Sequence, residues 1–338
     1  MAENIRVGAQ RTQTLEELMA TDILRFSLQA SDFTPVGSGL VRPESVLYER
    51  DGTLWISDAR AAVTRLAPDG SQQLLGEPLG EPNGIALAPS GELLVAAMTG
   101  GKVFRVARDG ATSVFLGELD GAPLGAVNFV LCDAHGRTWI AVSTRHQPWH
   151  ESLARPEATG YIVRVDERGA HVVADGIAFC NELRLDPSGA FLYAAETLRC
   201  RILRFPLRAD GSLGPREVFG PDSLGPGGFV DGFTFDAAGN LWFTLICRNA
   251  IGVLTPSGQA HTVYEEPQPQ ALAHLADGLV RGQVTPLDLA MCAGSMLKLP
   301  TSVAFGGPDL HTCYVGSLLL PHLLSFRSPV PGLPPAAR

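Results

Sequence analysis

Short apolar runs recur along the chain, each broken by a glycine-bearing turn and each opening on a polar residue. One pattern is visible six times: PESVLYERDGTLWISD from Pro43, PNGIALAPSGELLVAA from Pro82, VNFVLCDAHGRTWIAV from Val127, CNELRLDPSGAFLYAA from Cys180, VDGFTFDAAGNLWFTL from Val230 and PTSVAFGGPDLHTCYVGS from Pro300. The apolar runs alternate only loosely, as strands buried on both faces do. Turn pairs such as Asp51-Gly52, Asp69-Gly70, Ser90-Gly91 and Asp109-Gly110 come two per copy. They supply the positive φ angles that tight hairpins need. The first copy thus predicts strands at 44–48, 54–57, 63–66 and 71–75.

The second position of the six copies holds Glu44, Asn83, Asn128, Asn181, Asp231 and Thr301, spaced 39, 45, 53, 50 and 70 residues apart. Four short strands in roughly 40–50 residues is the arithmetic of a propeller blade. The pattern therefore predicts an all-β, six-bladed β-propeller around a central channel. A strand near 33–40 is expected to complete the sixth blade beside 323–326, which removes an exposed sheet edge. The expected organisation is an N-terminal arm at 1–35, with a short helix at 14–19, one propeller domain at 36–328 and a tail at 329–338. Two segments exceed the repeat, at 144–160 and 265–298, the second with a helix near 270–279. Each could cover one mouth of the channel. Trp55, Trp139 and Trp242 occupy equivalent places and are expected between blades.

Composition narrows the partners. Hydrophobic residues make up 45% of the chain and charged residues 18%, enough for a sizeable core. The net charge is −9 and no Lys/Arg block occurs, so nucleic acid and anionic membrane surfaces are poor partners. No apolar run approaches the roughly 18 residues of a membrane span, and the first residues lack the apolar segment of a secretory signal. Cys132, Cys180, Cys200, Cys247, Cys292 and Cys313 show no CxxC spacing, which points to reduced, buried thiols in a cytoplasmic protein.

The chemistry lies in the polar ring. The first strand of a blade lines the channel, so the six oxygen-bearing side chains should converge. Glu44 and Asp231 would repel each other there, and a divalent cation would relieve the conflict. An all-oxygen donor set favours a hard cation, calcium first, with magnesium, manganese, iron or zinc as alternatives. Such an ion, with Asp231 as general base, would suit hydrolysis of an ester or lactone bond in a small-molecule substrate. Asn83, Ser302, and His146 and Trp149 on the first insertion are candidate substrate contacts. No GxSxG elbow, HExxH, phosphate-binding loop or GxGxxG is present.

The segments PNGIALAPSGELLVA, VDGFTFDAAGNLWFT and PTSVAFGGPDLHTCYVGS resemble the regucalcin–gluconolactonase family, also called the SMP/gluconolactonase/luciferin-regenerating-enzyme-like family. The resemblance covers about residues 36–327. It implies a six-bladed propeller with one divalent ion, held by Glu44, Asn181 and Asp231, with Asn128 on substrate or water and Asp231 as the base. It also implies lactone hydrolysis. One departure stands out: family members that act on sugar lactones carry Arg-x-Asn-Asp in the third copy, where this chain reads Ala126-Val127-Asn128-Phe129. The arginine that would grip sugar hydroxyls is missing, and Phe129 is expected to make the pocket more apolar. Two alternatives remain: a non-catalytic calcium-binding scaffold, and a phosphotriesterase-like hydrolase.

Overall fold

In a computed structural model, described for residues 23–155 and 157–335, the chain forms six four-stranded antiparallel sheets arranged as a propeller. The first blade comprises Val46–Tyr48, Leu54–Ser57, Val63–Leu66 and Gln72–Leu75. Its hairpins turn at Gly52 (φ 90°) and Gly70 (φ 85°), conformations that a side chain would strain. The innermost strands of blades two to six are Pro82–Leu87, Ala126–Cys132, Cys180–Leu185, Val230–Phe235 and Pro300–Gly306. The expected helix at 14–19 lies outside the described residues.

The closing strand is Thr34–Val36, shorter than the sequence suggests. It pairs antiparallel with Leu323–Arg327, Thr34 opposite Ser325, and supplies the outer edge of the sixth blade. Phe33 anchors it, edge-on to Tyr264 of blade five and Phe326 of blade six, with ring centroids 5.0 and 5.8 Å away. First and last parts of the chain are thus zipped into one sheet, leaving no gap in the ring.

Between blades, Trp55, Trp139 and Trp242 are all but fully buried. Each indole N–H donates to an acid six residues earlier: to Glu49 (2.5 Å), Asp133 (3.0 Å) and Asp236 (2.9 Å). A large apolar ring is thereby buried with its polar atom satisfied. Nearer the axis, hydroxyls stitch blade to blade. Thr301 donates to the Glu44 carbonyl (2.6 Å), Thr197 to that of Val230 (2.7 Å) and Ser143 to that of Cys180 (2.9 Å).

The two insertions do not take one mouth each. The helix Glu151–Ala154 of the first meets the helix Pro269–Arg281 of the second. Leu153, Leu275, Val284 and Cys292 share one apolar cluster with Phe229 and Cys247 of the propeller. Together the insertions roof a single mouth. All six cysteines are free thiols, four buried and two, Cys132 and Cys200, partly so. Among the described residues no helix is long and apolar enough to cross a membrane.

Candidate active site

A register shift aims the polar ring. In blades two, four, five and six the innermost strand shifts after its first pair: Pro82 faces Ala97 but Ile85 faces Val95, and Val230 faces Leu245 but Phe233 faces Phe243. Two residues there oppose one, the count of a β-bulge, which bends the strand and redirects a side chain. Asn83, Asn181, Asp231 and Thr301 are the first residues of these bulges. Asn128 also sits at a register irregularity. Gly232 completes the bulge of blade five because the backbones nearly touch: a Cβ there would lie 2.4 Å from the Thr301 carbonyl oxygen.

A second device precedes the ring. The residue two before the ring position is left-handed in four blades: Arg42 (φ 55°), Glu81 (φ 52°), Phe179 (φ 64°) and Leu299 (φ 57°). None is glycine, and such conformations cost about 1–3 kcal/mol each. Arg42 and Phe179 line the cavity. Glu81 accepts the Trp149 indole N–H (3.0 Å) and so ties the first insertion to blade two.

One cavity gathers Glu44, Asn83, Asn128, Asn181, Asp231 and Trp149, with Arg42 and Thr197. Glu44 and Asp231 are each 6% exposed. Burial raises the Glu44 carboxyl well above its usual range, and the Asp231 charge adds to the rise while Arg42 opposes it. Burial also raises Asp231, against a hydrogen bond from Asn181 and the charge of Arg42. Glu182, next to Asn181, is pushed up to about 8 by burial despite its ion pair with Arg184. Arg42 donates from Nη1 to the Pro82 carbonyl (2.9 Å) and Asn83 Oδ1 (2.7 Å). Asn181 Nδ2 donates to Thr197 Oγ1 (3.3 Å).

These residues fit a hard cation. Asn128 Oδ1 is buried without any hydrogen-bond donor, and it faces a cavity that already holds two buried carboxylates. An orphaned acceptor beside like charges is costly unless something positive sits among them. Among the described residues no three His, Cys, Asp or Glu side chains form a metal-holding group by themselves, so a donor set for a hard cation here would have to include amide oxygens.

Two other sequence candidates lie elsewhere. His146 does not line the cavity; its Nε2 is 3.8 Å from Glu157. Ser302, second residue of its bulge, packs against Gly316 and also stays outside the lining. Phe129 does not make the pocket more apolar: it is buried between blades, packed against Gly84, with the Arg184 guanidinium 4.6 Å from its ring centroid. The charged residue the sequence reading missed is Arg42. Its only signal was position, two before Glu44, the same offset at which Ala126 precedes Asn128. The guanidinium absent from blade three is present in blade one.

Comparison with known proteins now adds a family. The pattern described as the SMP-30/Gluconolactonase/LRE-like region matches residues 42–276. A 6-deoxy-6-sulfogluconolactonase of Pseudomonas putida is 30% identical over 288 residues, 82% of this chain and 85% of that one. A gluconolactonase of Xanthomonas campestris superposes with a TM-score of 0.65 at 19% identity, covering 88% of this chain and 89% of that one. A calcium-binding regucalcin of Agrobacterium tumefaciens superposes at 0.63 and 20% identity, covering 89% and 93%. The two structural likenesses are of fold.

Proposed function

Because this chain belongs to the SMP-30/gluconolactonase/LRE-like family, we propose that it is a metal-dependent lactonase. The observation that carries the reading is the cavity floor, where two buried carboxylates and an orphaned amide oxygen face one space. Glu44, Asn181 and Asp231 would hold a divalent cation, calcium first, through oxygen atoms. When bound, such a cation polarises the lactone carbonyl and stabilises charge developing on its oxygen.

The chain's own groups do the rest. Asn128 orients the substrate or the attacking water through its free Oδ1. Asp231 takes a proton from that water at a carboxylate oxygen as the water oxygen bonds to the carbonyl carbon. The ring C–O bond then breaks, and the same carboxyl returns its proton to the leaving oxygen. Arg42, pinned by Asn83 and Pro82, keeps a positive charge at the edge of the floor. The roof of the two insertions limits water around the reacting atoms, which strengthens each of these interactions.

The test is a lactone panel followed by proton release, on protein of known metal content, before and after chelation and re-addition of calcium, manganese or zinc. Hydrolysis that a chelator abolishes and one of these ions restores is expected. Hydrolysis indifferent to chelation would remove the cation from the reading. Bound ion without turnover of any lactone would favour a calcium-binding scaffold, and turnover of phosphotriesters alone a different hydrolase.

A further inference from the structure

The polar floor occupies only part of the cavity. Its remaining lining is apolar, and most of the roof comes from the insertions: Trp149, Leu153, Leu275, Leu279, Val284 and Leu289. The wall continues through Met98, Phe179 and Leu198. Met98 and Phe179 cluster with the fully buried Ala126 behind them, and Trp149 and Leu198 pack against that cluster. The single polar atom of Trp149 is already engaged by Glu81. Asn83 Oδ1 is engaged by Arg42, and Asn181 Nδ2 by Thr197. Apart from Arg42 at its edge, whose bonds to Pro82 and Asn83 both leave from Nη1, the side-chain hydrogen-bonding capacity of the cavity is confined to the floor and largely to the groups that would hold the ion.

A substrate bearing several hydroxyls would press some of them against this roof. Each hydroxyl left unpaired there costs about tenfold or more in affinity. An alkyl or aryl group meets the opposite condition, because each methylene buried is worth up to about fourfold. We propose that the substrate is a lactone with an apolar body, its ester group on the polar floor and its hydrocarbon part under the roof of the two insertions, rather than a polyhydroxylated sugar lactone. This rests on the lactonase reading above, and it goes further by assigning the insertions to substrate selection.

Two measurements separate the proposal from that reading. The first is kcat/KM for γ-butyrolactone, γ-octalactone and γ-decalactone, against gluconolactone, on the metal-loaded protein. A rise on the order of a hundredfold from γ-butyrolactone to γ-octalactone is expected, with gluconolactone below the longer members. The second is calorimetric affinity for the matching alkyl γ-lactams, which resist hydrolysis. Tighter lactam binding with chain length, but no lactone turned over, would keep the apolar pocket and overturn the lactonase reading. Turnover that favours gluconolactone, or rates and affinities both flat with chain length, would overturn the apolar body and leave the lactonase reading standing. The roof is tested by Leu279→Gln, expected to lower the γ-decalactone to γ-butyrolactone ratio about tenfold. The ratio is unaffected by a general loss of folded protein, and an unchanged ratio would remove Leu279 and its helix from the proposal.

Discussion

One strand carries two buried aspartates in opposite situations. Asp231 stands near the start of Val230–Phe235, facing the cavity, and Asp236 stands just past its end, between the blades. Asp236 is fully buried and saturated. Its Oδ1 accepts the backbone N–H groups of Ala238 and Asn240, and its Oδ2 accepts Asn240 Nδ2 (2.8 Å) and the Trp242 indole (2.9 Å). Asp231 takes a hydrogen bond from Asn181 and shares its cavity with the like charge of Glu44. Burial raises both carboxyls. Burial alone therefore does not separate a proposed catalytic carboxyl from a structural one; unfilled acceptor capacity does. The same division runs round the ring. Five residues after Glu44, Asn128 and Asn181 come Glu49, Asp133 and Asp186, each bonded into its turn or to a tryptophan.

Exchange at the inner position should break activity without breaking the fold. Asp231→Asn is expected to lower kcat/KM by about a thousandfold or more, the worth of a general base with part of the ion's hold. Its thermal midpoint in chelator should equal or exceed the parent's, since one of two repelling buried charges is gone. A variant that keeps turnover, or one that fails to fold, would erase the distinction between the two ends. Asp236→Ala should do the reverse. It leaves the Trp242 N–H and Asn240 without their acceptor, at a cost of about 3 kcal/mol in urea unfolding. Turnover per folded molecule should not change.

The frame was legible in the sequence because strand period, turn glycines and repeat length all report on backbone geometry. The blades, their order and the closure beside 323–326 follow from such signals, as does the convergence of Glu44, Asn128, Asn181 and Asp231. The bulges were not legible: nothing in the chain announces a register shift except glycines such as Gly84 and Gly232, which also serve close packing. Nor were the left-handed residues, since Arg42, Glu81, Phe179 and Leu299 are side chains that usually avoid that conformation. Phe129 shows the consequence. Adjacent to Asn128 in sequence, it points between blades, because neighbours on a strand face opposite ways. The shared roof was out of reach for another reason: it is a contact between segments more than a hundred residues apart, with no common pattern.

Arg42 sharpens the inner half of the comparison. Burial raises the Glu44 and Asp231 carboxyls and the Arg42 guanidinium opposes that rise, so it must also repel a cation placed between them. Arg42→Ala and Arg42→Gly are both expected to bind calcium about tenfold more tightly by calorimetry, as removal of one nearby positive charge requires. Turnover should nevertheless fall. The glycine variant should be the more stable of the two by about 1 kcal/mol, because the backbone there is left-handed. Weaker ion binding in both would mean that Arg42 acts by holding Asn83 rather than through its charge.

The smallest effect tests the outer half. Asp133 and Asp236 have nearly the same hydrogen bonds, yet one partner differs in charge: Arg137 beside Asp133, Asn240 beside Asp236. Burial pushes the Asp133 carboxyl up, but bonds from Trp139, Arg137 and His135 outweigh it and hold the group below its ordinary value. A carboxyl lowered on folding stabilises the protein above its unfolded pKa of about 3.9, and that stability is lost as pH falls through the folded value. Asp133→Asn should therefore cost about 1 kcal/mol near pH 7, and the gap to the parent in urea midpoint should shrink below about pH 4. For Asp236, whose carboxyl is raised by burial, the sign reverses: protonation favours the folded state, so the parent's advantage over Asp236→Asn should not shrink in that window. Parallel behaviour of the two variants would show that the arginine, and not the shared hydrogen bonds, is irrelevant to how these turns hold their charge.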